Sequence, residues 1–475
     1  MKKSFWLIFL RLAVLVCFLN EILAVRAATP LFSTIVTNGP PTNRVNLVIF
    51  SEGYTSSQLG QFLIDATNAA NFFLSAQPYA EYSNYFNVFA IATNSAHSGS
   101  THPAEGNVYS NGYTYFNSSY DIYDHLITIP PNQFDTTNSH GQGKINSLLQ
   151  SFLPSTNNDF SAMLVNDPIP GGSDGGSSDY GKTAISSVGD VSYILLHESG
   201  HVLGGLGDEY TTAYPGFPDV EEPNTTTNTN ISQIQWSAWI PQDTPIPTPV
   251  NTTYQNTVGV FQGAHYHTNG WYRPFENCCM QSFGVGFCPV CQETLVLAIY
   301  GKTRPIDSRS PTTNSLTVAS AQMLNFSLNL LKPATHAPNI QWRTNGVAVT
   351  GATNAAFNIL PAQLGNGTQK VEADVWDGTT FVRTDLLNLL KQTNTWTLNV
   401  TLPAMLIDSL KWQTNGNFAF RVIGNSPDGV SVQASTDLLQ WIALQTNSLT
   451  NGQFFFTNTG AILFPQHFYR TITPP

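Results

Sequence analysis

The sequence predicts a multi-domain chain in which an α/β (α+β) domain precedes two small all-β modules. The first observation is length: 475 residues exceed one ordinary domain. The second is an alternation of strand-like and helix-like apolar patterns that runs to about residue 305. The third is a change of texture after Arg304-Pro305, where short alternating runs are separated by Asn, Gly and Pro turns. Charged residues make up only 10% of the chain, which reads as a folded, β-rich, exported protein. A net charge of −11 argues against nucleic acid or an anionic membrane as partner.

The chain opens with a targeting pattern. Lys2 and Lys3 precede an apolar run from Phe5 to Leu19 that only Arg11 interrupts. Val25-Arg26-Ala27 fits a small-residue cleavage signal, so residues 1–27 are expected to be a signal peptide. Arg11 shortens the run well below the ~20 residues of a membrane span. Bulky Val16 before Cys17 argues against lipidation. No other stretch is long and apolar enough to cross a membrane, so a bacterial secreted, cell-surface or periplasmic location is expected. Cys278, Cys279, Cys288 and Cys291 remain after cleavage. An exported chain with an even, local cysteine set predicts disulfides. A four-thiolate zinc site is the rival, and adjacent Cys278 and Cys279 spoil its usual paired spacing.

The first domain is expected over 28–305. Residues 28–43 read as a loose leader. RVNLVIFSEGYT (44–55) holds a buried strand, Val45 to Phe50, ending in a Gly turn. In the next stretch Leu59, Phe62, Leu63, Ala66, Ala69, Ala70 and Phe73 share one helical face. FNVFAIAT (86–93) is a second strand, HGQGKINSLLQSFL (140–153) a helix and SAMLVNDP (161–168) a strand. A Gly/Ser loop leads into DVSYILLHESGHVLGGL, an apolar helix carrying two histidines. Residues 211–262 are loop-rich, with Trp236 and Trp239 as packing anchors, and ETLVLAIYGK (293–302) is a closing helix.

Beyond it, SLTVAS, LNFSLNL, IQWRTNGVAVTG, AAFNIL, QKVEADVWDG and TWTLNVT predict an Ig-like β-sandwich over 306–402, with Trp342 on a central strand. LKWQTNGNFAFRVIG, GVSVQASTD, WIAL, GQFFFTN and HFYRTITPP predict a second β module over 403–475. Neither module carries a catalytic constellation.

The chemistry concentrates in HESGHVLGGLGDEY (197–210). On a helix, His197 and His201 lie one turn apart on one face and can reach one cation. Glu198 lies beside that face, placed to take a proton from water. One zinc ion there would bring the pKa of such a water to about 7. A third ligand is needed. A familiar arrangement puts His or Asp six residues after the second His, with Gly three after. Gly204 is in place, but position 207 is Gly. Asp208 follows, and the glycines let the chain turn back to absorb one extra residue. Asp208 is therefore the expected ligand, with Glu209 the near rival. Glu221 and Glu222, in a Pro-rich stretch, are more remote alternatives.

HESGHVLGGLGDEY resembles the motif of the bacterial IgA-metallopeptidase family of zinc endopeptidases. NRVNLVIFSEGYT, FNVFAIAT, LVNDP with its Gly-rich loop, EEPNTT, VGVFQGAHYHTNGWYRP and CCMQSFGVGFCPVCQE extend the resemblance over roughly 43–303. The resemblance implies a zincin-like metallopeptidase domain, one catalytic Zn2+ and a protein or peptide substrate. It implies His197, His201 and Asp208 as ligands and Glu198 as general base. Met280 looks like the methionine that floors the metal in related folds; plain core packing is the alternative. Tyr266 and Tyr272, in GAHYHTNGWYRP, are candidate oxyanion donors, with Tyr272 ahead. His265 and His267 depart from the family's pattern and read as surface residues, so IgA itself is not carried over as substrate. A structural Ca2+ site at Asp174/Asp179 or Asp121/Asp124 competes with simple turns. The rival function is a surface protein, inactive or not a peptidase, whose β modules bind glycan or protein. No pattern bears on oligomeric state.

Overall fold

The computed structural model describes residues 30–103, 113–129, 141–153, 159–173, 183–189, 191–318, 323–401, 405–424, 426, 429–450 and 452–472. The chain divides into two compact units, Met1–Thr303 with Phe381–Thr384, and Arg304–Thr380 with Asp385–Pro475. The expected signal peptide lies outside the described residues, as does the expected boundary at 402/403. Among the described residues, no helix is long and apolar enough to cross a membrane.

The first unit is built on a six-stranded sheet. In chain order its elements are β1 (Leu31–Val36), β2 (Val45–Glu52), α1 (Leu59–Phe73), β3 (Phe86–Ala92), the short pair β4 (Ser119–Tyr120) and β5 (Ile127–Thr128), α2 (Gly141–Phe152), β6 (Phe160–Val165), β7 (Gly172–Ser173), β8 (Thr183–Ser187), α3 (Val191–Gly204), β9 (Phe261–Ala264), β10 (His267–Arg273) and α4 (Pro289–Lys302). The sheet order is β1-β3-β2-β6-β8-β7. β3, β2, β6 and β8 run parallel, and β1 and β7 close the two edges antiparallel.

Every residue of β2, β3 and β6 is buried, as expected for parallel strands covered on both faces. Val48, Phe50, Phe89, Ile91, Met163 and Val165 face one core with Ile145 and Leu148 of α2. α1 packs on β2 and β3, and α3 packs on β8, β6, α1 and α4. Residues 28–43 do not form a loose leader throughout: 31–36 are β1, paired with β3. Phe32 explains this, because its ring stacks on Phe89 at 5.4 Å and on Phe152 at 5.7 Å. Between α3 and α4 the chain is mostly turns, with Trp236 buried and its Nε1–H donating to the Gly259 carbonyl at 2.8 Å.

Among its described residues, the second unit is built of strands joined by turns and two short 3-10 helices. β11 (Ile306–Ser310), β13 (Leu324–Leu330) and β16 (Ala356–Ile359) form one sheet. β12 (Ser315–Val318), β14 (Asn339–Thr344), β15 (Val347–Ala348), β17 (Gly367–Trp376) and β18 (Lys391–Val400) form another, in the order β12-β18-β17-β14-β15. Phe326, Trp342, Val371 and Trp396 belong to their common core. Trp342 is buried, but its strand is next to the sheet edge rather than central. β19 (Met405–Trp412), β20 (Phe418–Gly424) and β23 (Gln453–Asn458) make a third sheet, and β21 (Val430–Ser435), β22 (Ile442–Asn447) and β24 (Phe468–Ile472) a fourth. Phe420, Val422, Val430, Val432 and Phe456 form the core shared by these two.

Candidate metal centre

The α3 helix sets the site. Its pitch stacks His197 under His201, and their Nε2 atoms converge to 3.2 Å. Each ring is held from behind: His197 Nδ1 is 2.8 Å from the Cys279 carbonyl, and His201 Nδ1 is 2.6 Å from the Leu206 carbonyl. Both Nδ1 atoms therefore carry a proton and donate it, which leaves the two Nε2 atoms as the positions open to a further proton or a cation. The helix ends at Gly204, and Gly205 turns the chain at φ +60°. Its N–H donates to the His201 carbonyl at 2.8 Å, the αL form of helix stop.

The turn returns Asp208 to the histidines. Asp208 Oδ1 lies 3.1 Å from His197 Nε2 and 3.4 Å from His201 Nε2. This oxygen is buried and has no hydrogen-bond partner. Ligand atoms on a tetrahedron with bonds of about 2.0–2.1 Å stand about 3.3–3.4 Å apart, so the three atoms fit one small cation. Asn224 pins the turn: it accepts from the Gly207 N–H at 2.7 Å and donates to the Gly207 carbonyl at 2.8 Å. A Cβ at position 207 would meet the Glu222 carboxylate, which would have to shift. The extra residue of the motif is thus absorbed by a turn that Asn224 ties down.

The electrostatics follow from the geometry. Burial alone would lower the His197 pKa, but Asp208 raises it, to about 10. Burial alone would raise that of Asp208, but His201 and His197 hold the carboxyl far below the usual range. Protons and a cation therefore compete for the same atoms.

Two tyrosines reach the cluster. The Tyr266 hydroxyl donates to Asp208 Oδ2. It stands at the tip of the β9–β10 hairpin, where His265 and Tyr266 both take positive φ, 52° and 61°. The Tyr210 hydroxyl lies 3.3 Å from His197 Nε2. Sequence reasoning gave Tyr210 no role, although it ends the quoted motif. Tyr272, ranked ahead of Tyr266, sits in β10 and exchanges backbone hydrogen bonds with Thr226 at 2.8 and 3.0 Å. Strand alternation turns it away from the face that its neighbour Trp271 presents to His265.

Glu198 is 7% exposed, less open to water than expected of a base. Its Oε1 lies 3.3 Å from where a Cβ on Gly172 of edge strand β7 would stand. Met280 is fully buried beneath α3, with its Sδ 2.7 Å from where a Cβ on Gly200 would stand. Gly200 therefore leaves room for the methionine side chain against α3.

The remaining candidates are engaged elsewhere. His265 lies between Glu222 at 3.0 Å and the Pro218 carbonyl at 2.9 Å, buried rather than on the surface. His267 is partly exposed, 3.7 Å from Asp219. Glu221 accepts from Thr226, Thr227 and Asn228. Asp121 caps a turn through the N–H groups of Tyr123, His125 and Leu126, and Asp124 pairs with His102 at 3.0 Å, which is the turn reading rather than a calcium site. Asp174 and Asp179 lie outside the described residues.

The cysteines depart from expectation. All four are free thiols, not disulfides. Cys278 Sγ and Cys288 Sγ each lie 3.6 Å from Cys291 Sγ, too far for a bond of about 2.05 Å. Burial raises the Cys278 and Cys291 thiols, while hydrogen bonds with those neighbours overcome burial at Cys288 and lower it to about 6. Glu209 joins these three, so the residue weighed against Asp208 points into a different cluster.

A model of the protein family described as IgA Peptidase M64 matches residues 34–257 and 250–299. The chain belongs to the IgA peptidase M64 family. Membership makes it a peptidase, a hydrolase acting on protein or peptide, and places the peptidase domain in the first unit. A metal cofactor accords with this family, and His197, His201 and Asp208 form a group able to hold one. A search of curated proteins found no match.

Proposed function

We propose that the chain is an exported, zinc-dependent endopeptidase whose ion is held by His197, His201 and Asp208. The observation that carries this reading is the triangle of ligand atoms at 3.1, 3.2 and 3.4 Å, with both Nδ1 atoms committed to carbonyls. Zinc bound there supplies Lewis acidity toward a peptide carbonyl and toward water.

The chain's own residues do the rest. Glu198, next to the first ligand on α3, takes a proton from water and delivers it to the leaving amine. Tyr266 orients Asp208 by donating to Oδ2, which leaves Oδ1 for the ion. With that hydroxyl occupied, the oxyanion donor is Tyr210, whose hydroxyl stands beside His197 Nε2. Burial, then the charges of Asp208 and Glu198, raises the Tyr210 phenol, so it keeps its proton as a donor at neutral pH. The Met280 thioether supports the floor without competing as a charged ligand.

The test is Glu198→Gln in the full chain, read on a peptide library together with zinc content. Loss of cleavage with about one zinc ion retained in this site supports the reading. Full cleavage by that variant, or by the unmutated chain in excess chelator, overturns it.

A further inference from the structure

Glu209, Cys278, Cys288 and Cys291 present four ligand atoms within 4.8 Å of one another, away from the histidines. All four residues are buried. Zinc–thiolate bonds of about 2.3 Å place sulfurs about 3.8 Å apart. The two closest sulfur pairs here stand at 3.6 Å, and Cys291 Sγ is 3.9 Å from Glu209 Oε1. We propose that Cys278, Cys288, Cys291 and Glu209 bind a second zinc ion, structural and closed to solvent.

Three further observations support a cation. The second carboxylate oxygen, Glu209 Oε2, is sealed from water with no hydrogen-bond partner, which is costly unless something positive satisfies it. The Cys288 N–H points at Cys278 Sγ at 3.3 Å, and Asn224 Nδ2 donates to Glu209 Oε1 at 2.9 Å; such outer bonds fix and stabilise anionic ligands. The buried Arg273 guanidinium interacts with both Glu209 and Cys278, which offsets the excess negative charge of three thiolates and a carboxylate around a divalent ion. Binding displaces the thiol protons to solvent and involves no redox step.

A disulfide would satisfy the cluster less well. Cys291 is equally far from Cys278 and Cys288, so pairing with one leaves the other thiol and Glu209 buried alone. Cys279, adjacent in sequence, is outside the group of ligand atoms that lie within 4.8 Å of one another, and its carbonyl serves His197 instead. The ion would clamp the 278–291 loop to Glu209, whose N–H already donates to the Met280 carbonyl at 2.9 Å. The second ion would thereby hold the neighbouring Asp208 and the methionine floor in place.

Zinc-edge X-ray absorption of the unmutated full chain, isolated without reductant, is the direct test, paired with metal analysis and thiol mapping by mass spectrometry. About two zinc ions per chain and a sulfur shell at about 2.3 Å are expected. A His197→Ala/His201→Ala variant is expected to keep the sulfur-bound ion and lose the other. A zinc-loaded chain with only nitrogen and oxygen neighbours overturns the proposal, as does a disulfide between any two of Cys278, Cys288 and Cys291. Neither readout involves proteolysis, so this proposal and the peptidase mechanism fail separately.

Discussion

Asp208 and Glu209 are neighbours in sequence, yet they serve two clusters, and Cys279 and Cys278 divide in the same way. Asp208 and the Cys279 carbonyl face the histidines; Glu209 and the Cys278 thiol face Cys288 and Cys291. The clusters differ in access. His201 and Asp208 keep 13% and 11% side-chain exposure, whereas Glu209, Cys278, Cys288 and Cys291 are all buried. An open three-ligand group suits exchange of water and substrate, and a closed four-ligand group suits a permanent fastening. Two adjacent pairs, Asp208-Glu209 and Cys278-Cys279, thus link the two clusters.

The comparison can be broken most sharply at the base. Glu198→Gln is expected to reduce peptide cleavage by about 10²–10⁴-fold with zinc content unchanged. Loss of metal in that variant would make Glu198 part of the metal's support instead. Tyr266→Phe removes the donor to Asp208 Oδ2 and is expected to weaken zinc at the histidine cluster by about 10–100-fold. Chelator competition measures it, and the thiolate cluster should be unaffected. Gly200→Ala tests the packing of α3 on the segment that precedes α4, because the new Cβ meets Met280 Sδ and Phe287. Crowding should outweigh the gain in helix propensity and cost about 1 kcal/mol, read by denaturant unfolding.

The smallest expected effect lies outside both clusters. The hydrogen bonds of Arg421 hold the Asp408 carboxyl below its usual range. A depressed folded-state pKa means stability that is present above the unfolded value and lost as pH falls through the folded one. Asp408 is partly exposed, so solvent screening keeps the contribution of the pair within about 1 kcal/mol. Asp408→Asn should flatten the acid limb of the stability profile by no more than that. A larger change would give this ion pair a structural weight that its exposure does not suggest.

Local patterns were readable from the chain and remote ones were not. Two histidines four residues apart on an apolar helix lie on one face by pitch alone, and three glycines announce the turn that brings back Asp208. The parallel strands were legible because burial on both faces leaves unbroken apolar runs. β1 was missed because it is a short edge strand of mixed polarity, ordered by Phe32 stacking on residues far along the chain. The proximity of Glu209 to the cysteines was not legible, because it stands 69 residues from Cys278, a distance no spacing rule spans. Tyr210 carries no periodic signal in the sequence, and the stretch holding Tyr272, read as a loop, is strand β10.

The central claim is that the chain divides at Asp208-Glu209 between two metal clusters. Chelator competition on Asp208→Ala and Glu209→Ala, with each ion followed by its nitrogen/oxygen or sulfur neighbours in X-ray absorption, tests it most directly. Asp208→Ala should lose the histidine-bound zinc and cleavage while keeping the sulfur-bound ion. Glu209→Ala should first release the sulfur-bound ion. If Glu209→Ala instead strips the histidines of zinc while Asp208→Ala leaves them loaded, the division is wrong.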